Sequence, residues 1–493
     1  MTCIRCMRTA LVLGCLLALL GGDHGNIAEA RGEPGPIREV RDQLRAKLHD
    51  MAKYCTSRKL FGARYDVYEL VIELWPEDEA ARKSNGYTDT GSGWSKEGRK
   101  RPRNLSASGM PALKALQDET ATWYMQAIAE ATRELPTGMA AAWRARSVGT
   151  AARIAPTNEE LRAKNGEVKG KGADGKRGWI LVESQNSRKR RKKLLAAGQK
   201  ALKSAPKPKK DTARDFEKSS TVNWTTVIKG KHGRLTGTTE PAELAQILRN
   251  VDATFPFFDA AFGRTPAPIP GLTIHVVDNI GTGNVYLGDQ KVDQQWLRFV
   301  TPLIACWVPK TNRVMVKSPD AETRLEAAPR QVNAALMSRR FNIHSKMGWA
   351  VEGFGLYLTW HIAGTRRINS VRESQYGEQQ EKVDLAKRLK ETETDWVAEA
   401  RALVNGPHAP DLRLLLGKTV NTMTPEDILY SYALAMWLTE GHRDKLGGFL
   451  PAVAGVKDAD FDLAFAEHLG FDVASAERRV KRWLNETADL PGH

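Results

Sequence analysis

Apolar residues in "IREVRDQLRAKLHDMAKYC" return at steps of three and four, which predicts an amphipathic helix, and "ARYDVYELVIELWP" repeats the pattern until Pro76 stops it. The two pair as a helical hairpin. "MPALKALQDETATWYMQAIAEATRELP" and "GMAAAWRARSVGTAARIAP" predict a second hairpin of the same kind. From about residue 219 the period changes. "TVNWTTVIKGKHGRLTGT" alternates as strands do, "EPAELAQILRNVDATFPFFDAAFG" reads as a helix, "LTIHVVDN" as a strand, and "LIACWVPKTNRVMVKS" as a hairpin turned at Pro-Lys-Thr-Asn. Helical periodicity then runs to the C-terminus. A small mixed sheet followed by a helical half is an α+β arrangement.

The two N-terminal hairpins also match each other. "WPEDEAARKSNGY" (75–87) and "APTNEELRAKNGE" (155–167) share Pro, an acidic turn, Arg and Asn-Gly at an offset of 80 residues, and each precedes a Gly-Trp, Gly93-Trp94 and Gly178-Trp179. This reads as an internal duplication, with chance similarity as the alternative. The Pro-Glu-Asp segment resembles the loop between tetratricopeptide helices, although the full repeat signature is absent.

At 493 residues the chain is long enough for two or three domains. The one strongly apolar run, "TALVLGCLLALLGG", is too short to span a bilayer, follows Arg5 and Arg8, and precedes "IAEA" with small residues at Ala28 and Ala30. Residues 1–30 are therefore expected to be a cleaved export signal, which makes the protein periplasmic or extracellular with no transmembrane span left. Cys15 stands in a Val-Leu-Gly-Cys context resembling a lipobox, but mid-way through the run rather than at its end, which argues against lipoprotein anchoring. Cys3, Cys6 and Cys15 leave with the signal. Cys55 and Cys306 then remain, too few for a disulfide scaffold or a zinc knuckle, and buried free thiols are the expectation.

Charge is concentrated in residues 164–218, where 18 Lys or Arg against 6 Asp or Glu account for +12 of the chain's net +16. At the centre lies Arg188-Lys189-Arg190-Arg191-Lys192-Lys193, then a short helical stretch and a Pro-Lys tail. Two readings stand side by side: a solvated, flexible linker, or a tether in which those six residues contact a polyanion such as an envelope phosphate polymer. No aromatic stacking pattern or nucleic-acid fold accompanies the block, and nucleic acid is not the expected partner. The domain plan is thus signal 1–30, helical hairpins 31–163, basic linker 164–218 and an α+β domain 219–493.

In residues 326–360, "EAAPRQVNAALMSRRFNIHSKMGWAVEGFGLYLTW", a helix and a short loop precede Trp349-Ala350-Val351-Glu352-Gly353. This element resembles the "WLNEGLAEY" segment of the peptidase MA-like gluzincins, which include a bacterial family of exported proteins of unknown function. The resemblance extends over about 220–490. It implies a gluzincin-like domain in which His-Glu-x-x-His on the first helix and a Glu on the second hold zinc. Counting back, that motif falls on Arg330-Gln331-Val332-Asn333-Ala334. Arg330 takes the first His position, Gln331 the catalytic Glu and Ala334 the second His, with 17 residues between Ala334 and Glu352. A guanidinium cannot deprotonate to ligate, an amide cannot act as a general base, and a methyl group offers nothing. The expectation is a degenerate member with zinc lost, no cofactor and no catalytic residue. Glu352 is left as the residual third-ligand position.

Rescue by other histidines is not expected. His361 lies nine positions past Glu352 on the other face of the helix, His344 lies in the loop, and His275, His408, His442 and His468 have no partner at ligand spacing. A tyrosine after the site is also implied by the resemblance, with Tyr430 and Tyr432 both open. "NIGTGNVYLG" lacks the ending of a phosphate loop and reads as a turn, and no Gly-x-Ser-x-Gly occurs. An Arg330–Glu352 ion pair is expected to replace zinc as a clasp between the helices, the alternative being that both face water. Function then points to a non-catalytic pseudo-metallopeptidase binding a peptide or protein in the former substrate cleft. A metal-dependent peptidase with a shifted site, and a polyanion-binding protein acting through 188–210, are the alternatives.

Overall fold

The computed structural model describes residues 33–91, 93–96, 100–263, 268–290, 292–308, 310–367, 379–406, 409–455 and 461–490. Residues 1–30, read above as an export signal, with Cys3, Cys6 and Cys15, and His408, lie outside these. The chain is mostly helical with small sheets, an α+β composition, and divides into two compact units, residues 1–134 and 135–493.

In the first unit, α1 (Gly35–Ser57) carries Pro36 in its first turn, where a fixed φ suits the helix, and buries Ile37, Leu44, Leu48, Met51 and Cys55 along one face. It packs on α2 (Phe61–Leu74) and on α4 (Met110–Ala131). Between them, α3 (Glu79–Ser84) is capped by Asp78, which accepts from Ala81 N at 2.8 Å, and a two-residue hairpin, β1 (Thr88–Asp89) and β2 (Trp94–Ser95), follows.

The second unit opens with α5 (Thr137–Ile154), α6 (Glu159–Lys164) and the hairpin β3 (Glu167–Lys171) and β4 (Arg177–Leu181). The local structure of α3 returns at α6. Asn158 caps Leu161 N, Arg162 Nε donates to the Pro156 carbonyl as Arg82 Nε does to Pro76, and Gly86 and Gly166 both take left-handed φ. The guanidinium of Arg82 lies 5.5 Å from the Trp94 ring and that of Arg162 lies 5.6 Å from Trp179. The helices expected as a second hairpin nevertheless fall in different units. α4 belongs with α1, and α5 packs on α19 (Phe461–His468).

The segment read as a linker is ordered structure. It holds the β3–β4 hairpin, the 23-residue helix α7 (Val182–Ser204), the two-residue strand β5 (Lys209–Lys210) and the single turn α8 (Asp215–Lys218). α7 lies against α9 (Pro241–Phe262), α13 (Gly348–Ala363) and α17 (Pro425–Gly441). A Cβ on Gly198 would sit 2.3 Å from the His361 carbonyl oxygen, so the α7–α13 crossing requires glycine there.

β6 (Thr226–Lys229), β7 (Arg234–Gly237), β8 (Thr273–Val277), β9 (Ala305–Val308) and β10 (Arg313–Lys317) complete a mixed sheet ordered β5-β6-β7-β8-β10-β9. β7, β8 and β10 are parallel, and β9 runs antiparallel at the edge with Val308 opposite Arg313. Between β8 and β9 come α10 (Ile280–Asp289) and α11 (Gln294–Val300). The stretch read as a turn, "NIGTGNVYLG", is the helix α10, because Asn279 caps it by accepting from Thr282 N at 2.7 Å. After β10 the chain is helical: α12 (Ala321–Phe341), α13, α14 (Gln380–Arg388), α15 (Trp396–Asn405), α16 (Leu412–Leu416), α17, α18 (Leu446–Gly455), α19 and α20 (Val473–Glu486). One apolar core joins α7, α9, α12, α13 and α17 with the sheet. No helix among the described residues is long and apolar enough to cross a membrane.

Candidate functional site

α12 contains Pro329, which has no N–H to give the Leu325 carbonyl one turn back. Asn250 of α9 meets that carbonyl instead, its side-chain amide donating at 3.3 Å. The helix therefore continues through the proline, and Glu326, Arg330 and Asn333 project from α12 toward α13. On α13, Gly353 allows the helix to press on α17: a Cβ there would lie 2.2 Å from the Ser431 carbonyl oxygen. Glu352 precedes that contact and is buried.

Arg330 and Glu352 meet. Arg330 Nη2 donates to Glu352 Oε2, while Nη1 donates to Glu326 Oε1 at 3.3 Å and to the Arg367 carbonyl at 3.0 Å. The arginine side chain is 11% exposed, and those of Glu352 and Glu326 are 7% and 1% exposed. One guanidinium thus spans two buried carboxylates. Burial pushes the Glu326 carboxyl up to about 7 against the pull of Arg330. Gln331 and Ala334 are half-buried and take no part in the cluster, but the Gln331 carbonyl accepts from Trp307 Nε1 at 3.2 Å, which ties edge strand β9 to α12. Asn333 is buried and donates to Thr359 Oγ1 of α13 at 3.1 Å, a second polar link between the helices.

This donor set does not fit a zinc ion. Of the three residues that the resemblance aligns with zinc ligands, Arg330 is cationic, Ala334 offers a methyl group, and Glu352 has its carboxylate engaged by that cation. Among the described residues no group of three His, Cys, Asp or Glu side chains is arranged to hold a metal. His344 is exposed in the loop between α12 and α13. His361 stacks on Phe257 with ring centroids 4.9 Å apart, away from Glu352. His275 lies buried with Glu217 at 3.2 Å and Tyr286 Oη within 3.3 Å, where burial lowers its pKa. His442 lies near Glu183, and His468 lies beside Gly448. Of the two tyrosines, Tyr432 is in an aromatic group with Trp396 and Tyr357 and with Arg366 over its ring, and Tyr430 is buried on α17. No hydrogen bond joins either to Arg330 or Glu352 among the described residues.

Two members of the cluster escaped the sequence reading: Glu326 and the Arg367 carbonyl. The first had a signal, since Glu four residues before Arg on one helix is a favourable pair. The second, a backbone acceptor 37 residues away, had none.

The cationic block divides by helical face. Arg191 is 1% exposed, with Nε 3.0 Å from Glu440 Oε1 and Nη2 3.1 Å from Oε2, and Glu440 also accepts from Tyr357 Oη at 3.0 Å. Arg188 holds Asp489 and the Glu486 carbonyl, and Arg190 holds Asp444 and the Glu440 carbonyl. Arg191 is therefore not available as a polyanion contact, while Arg188 and Arg190 are partly exposed and already ion-paired. Lys189, Lys192 and Lys193 are exposed. Cys55 and Cys306 are buried free thiols, and burial pushes each up to about 11. No family model matches the chain, and neither a curated protein nor a solved structure matches it.

Proposed function

We propose that the second unit is a gluzincin-type peptidase scaffold that has exchanged metal and catalysis for a guanidinium clasp, and that binds an extended peptide or protein segment without cleaving it. The observation that carries this reading is Arg330 held between Glu352 and Glu326 where a cation would otherwise join α12 to α13. Beside it, β9 is an edge strand whose outer side pairs with no strand among the described residues, and Trp307 anchors it to α12 at Gln331. Such an edge takes a peptide by strand addition, with main-chain hydrogen bonds for affinity and alternate side chains for selection. The paired stretches at α3 and α6 support an internal duplication of a tetratricopeptide-like element, which would offer a second contact surface. Export to the cell envelope completes the proposal.

The test uses the purified full chain and a display library of unstructured octapeptides. Peptides should be retained and stay intact, Ala305→Pro at the strand edge should abolish retention, and the chain should carry no stoichiometric metal by mass spectrometry. Chelator-sensitive cleavage with a bound transition metal would return the protein to the peptidases.

A further inference from the structure

The outward face of α7 carries charge that nothing in the fold answers. At about 100° per residue, Lys189, Lys192, Lys193, Lys200 and Lys203 fall within an arc of about 100° and extend about 21 Å along the helix axis. All five are exposed, and Lys207, Lys209 and Lys210, exposed as well, continue the run in sequence. None of the five has a hydrogen bond or ion pair among the described residues. Other exposed lysines do: Lys53 pairs with Asp50, Lys83 with Glu79 and Lys164 with Glu160, each one turn away on its own helix. The one acid of α7, Glu183, is buried against Arg479. Lys189 and Lys193 are instead like charges one turn apart, a spacing that costs helix stability. An unbalanced row of this kind is stabilised by a bound anion.

We infer that this face of α7 binds a linear phosphate polymer. The row is one helix wide, which suits a chain rather than a compact anion. Between the lysines lie Ala196, Gln199 and Ser204, so there is no apolar side chain larger than a methyl group to enter a lipid interface and no ring to stack on a base. The cations are lysines, point charges that act through counterion release, while the arginines suited to forked recognition of one phosphate are engaged by Asp489, Asp444 and Glu440.

The experiment titrates the full chain with long-chain inorganic polyphosphate over a range of salt. The variant K189Q/K192Q/K193Q/K200Q/K203Q should lose affinity on the order of a hundredfold at low salt, with the slope of log K against log salt smaller by about 3. Its melting temperature should not fall, since like charges are being removed. K53Q/K83Q/K164Q should bind as the parent does. The inference is overturned if the parent fails to bind, if the five-lysine variant keeps affinity and slope, or if the control variant loses as much. Tighter binding to phosphatidylglycerol vesicles, or to a mixed-base single-stranded oligonucleotide of equal phosphate count, also overturns it, in favour of a membrane or of nucleic acid.

Discussion

Arg330 answers two carboxylates, and removing it should reveal how unequal they are. Arg330→Met keeps most of the stem but leaves Glu352 buried without its cation, a change expected to destabilise by about 3–5 kcal/mol in urea denaturation. Glu326→Gln should cost less than about 1 kcal/mol at neutral pH, because a carboxyl pushed up to about 7 is already partly protonated there. Its signature is pH dependence. The folded value lies above the ordinary 4.5, so between those limits the folded chain holds a proton that the unfolded chain has released. The Glu326 contribution is therefore fully present below pH 4.5, is lost as pH rises toward about 7, and amounts to about 3 kcal/mol over that window. His232, His275 and His442, lowered by burial, act with the opposite sign, losing stability as pH falls through the ordinary histidine value. The quantity to read is thus parent minus Glu326→Gln between pH 4.5 and 8. A difference that does not change with pH would remove Glu326 from the account. The same positions admit a gain-of-function test: R330H/Q331E/A334H writes His-Glu-x-x-His into α12, the helix that meets Glu352, and stoichiometric zinc by mass spectrometry is the outcome expected of a metallopeptidase pair, whereas no bound zinc counts against that reading.

At the scale of the element, α7 shows what a charge count conceals. Arg191 and Lys192 are neighbours in sequence, yet Arg191→Ala should cost about 3–5 kcal/mol by stranding Glu440, and Lys192→Ala should stay within about 0.5 kcal/mol. Gly198→Ala, which alone would favour the helix by about 1 kcal/mol, should instead destabilise by about 1–3 kcal/mol, since its methyl group meets the His361 carbonyl. Thermal melts of the three variants check the order. The strands β6 to β10, the helix α9 and the turn between β9 and β10 were legible because period and turn chemistry agree there. The facing of Arg330 and Glu352 followed from the resemblance of 326–360 to the gluzincin element, with exposure of both to water as the alternative. Of α7 only a short helical stretch was legible, because the net charge of 164–218 says nothing about helical face, and on a wheel Arg191, Leu194, Gly198 and Ala201 form one buried face. α10 was missed because three glycines outweighed an asparagine cap. The departure of α4 and α5 into different units depends on tertiary partners that local pattern does not contain.

At the scale of the whole molecule, the question is where the C-terminal folding unit begins, and buried polar pairs decide it. A domain starting at residue 219 would lack every group that 135–218 supplies to the helices beyond. Glu440 would lose Arg191, and Arg479 would lose Glu183, held at 2.6 and 3.0 Å. Asp472 would lose Arg146, and Trp483 Nε1 would lose Ser187 Oγ at 2.8 Å. Glu440 and Asp472 are fully buried and Arg479 nearly so, and each charge left without its partner costs about 3–5 kcal/mol. Two such losses come to about 6–10 kcal/mol, comparable with the roughly 5–15 kcal/mol by which a whole domain is stable. Residues 135–493 expressed alone should therefore unfold in one cooperative transition with strong near-ultraviolet dichroism. Residues 219–493, which cover the resemblance to the peptidases, should lack that transition and aggregate. If 219–493 melts cooperatively with protected amides in α13 and α17, then α7 is an appendage and the arginines of the basic block are not structural. If only the longer fragment does so, half of the most cationic stretch in the chain belongs to the core, and the lysines of α7 are the part left over for a ligand.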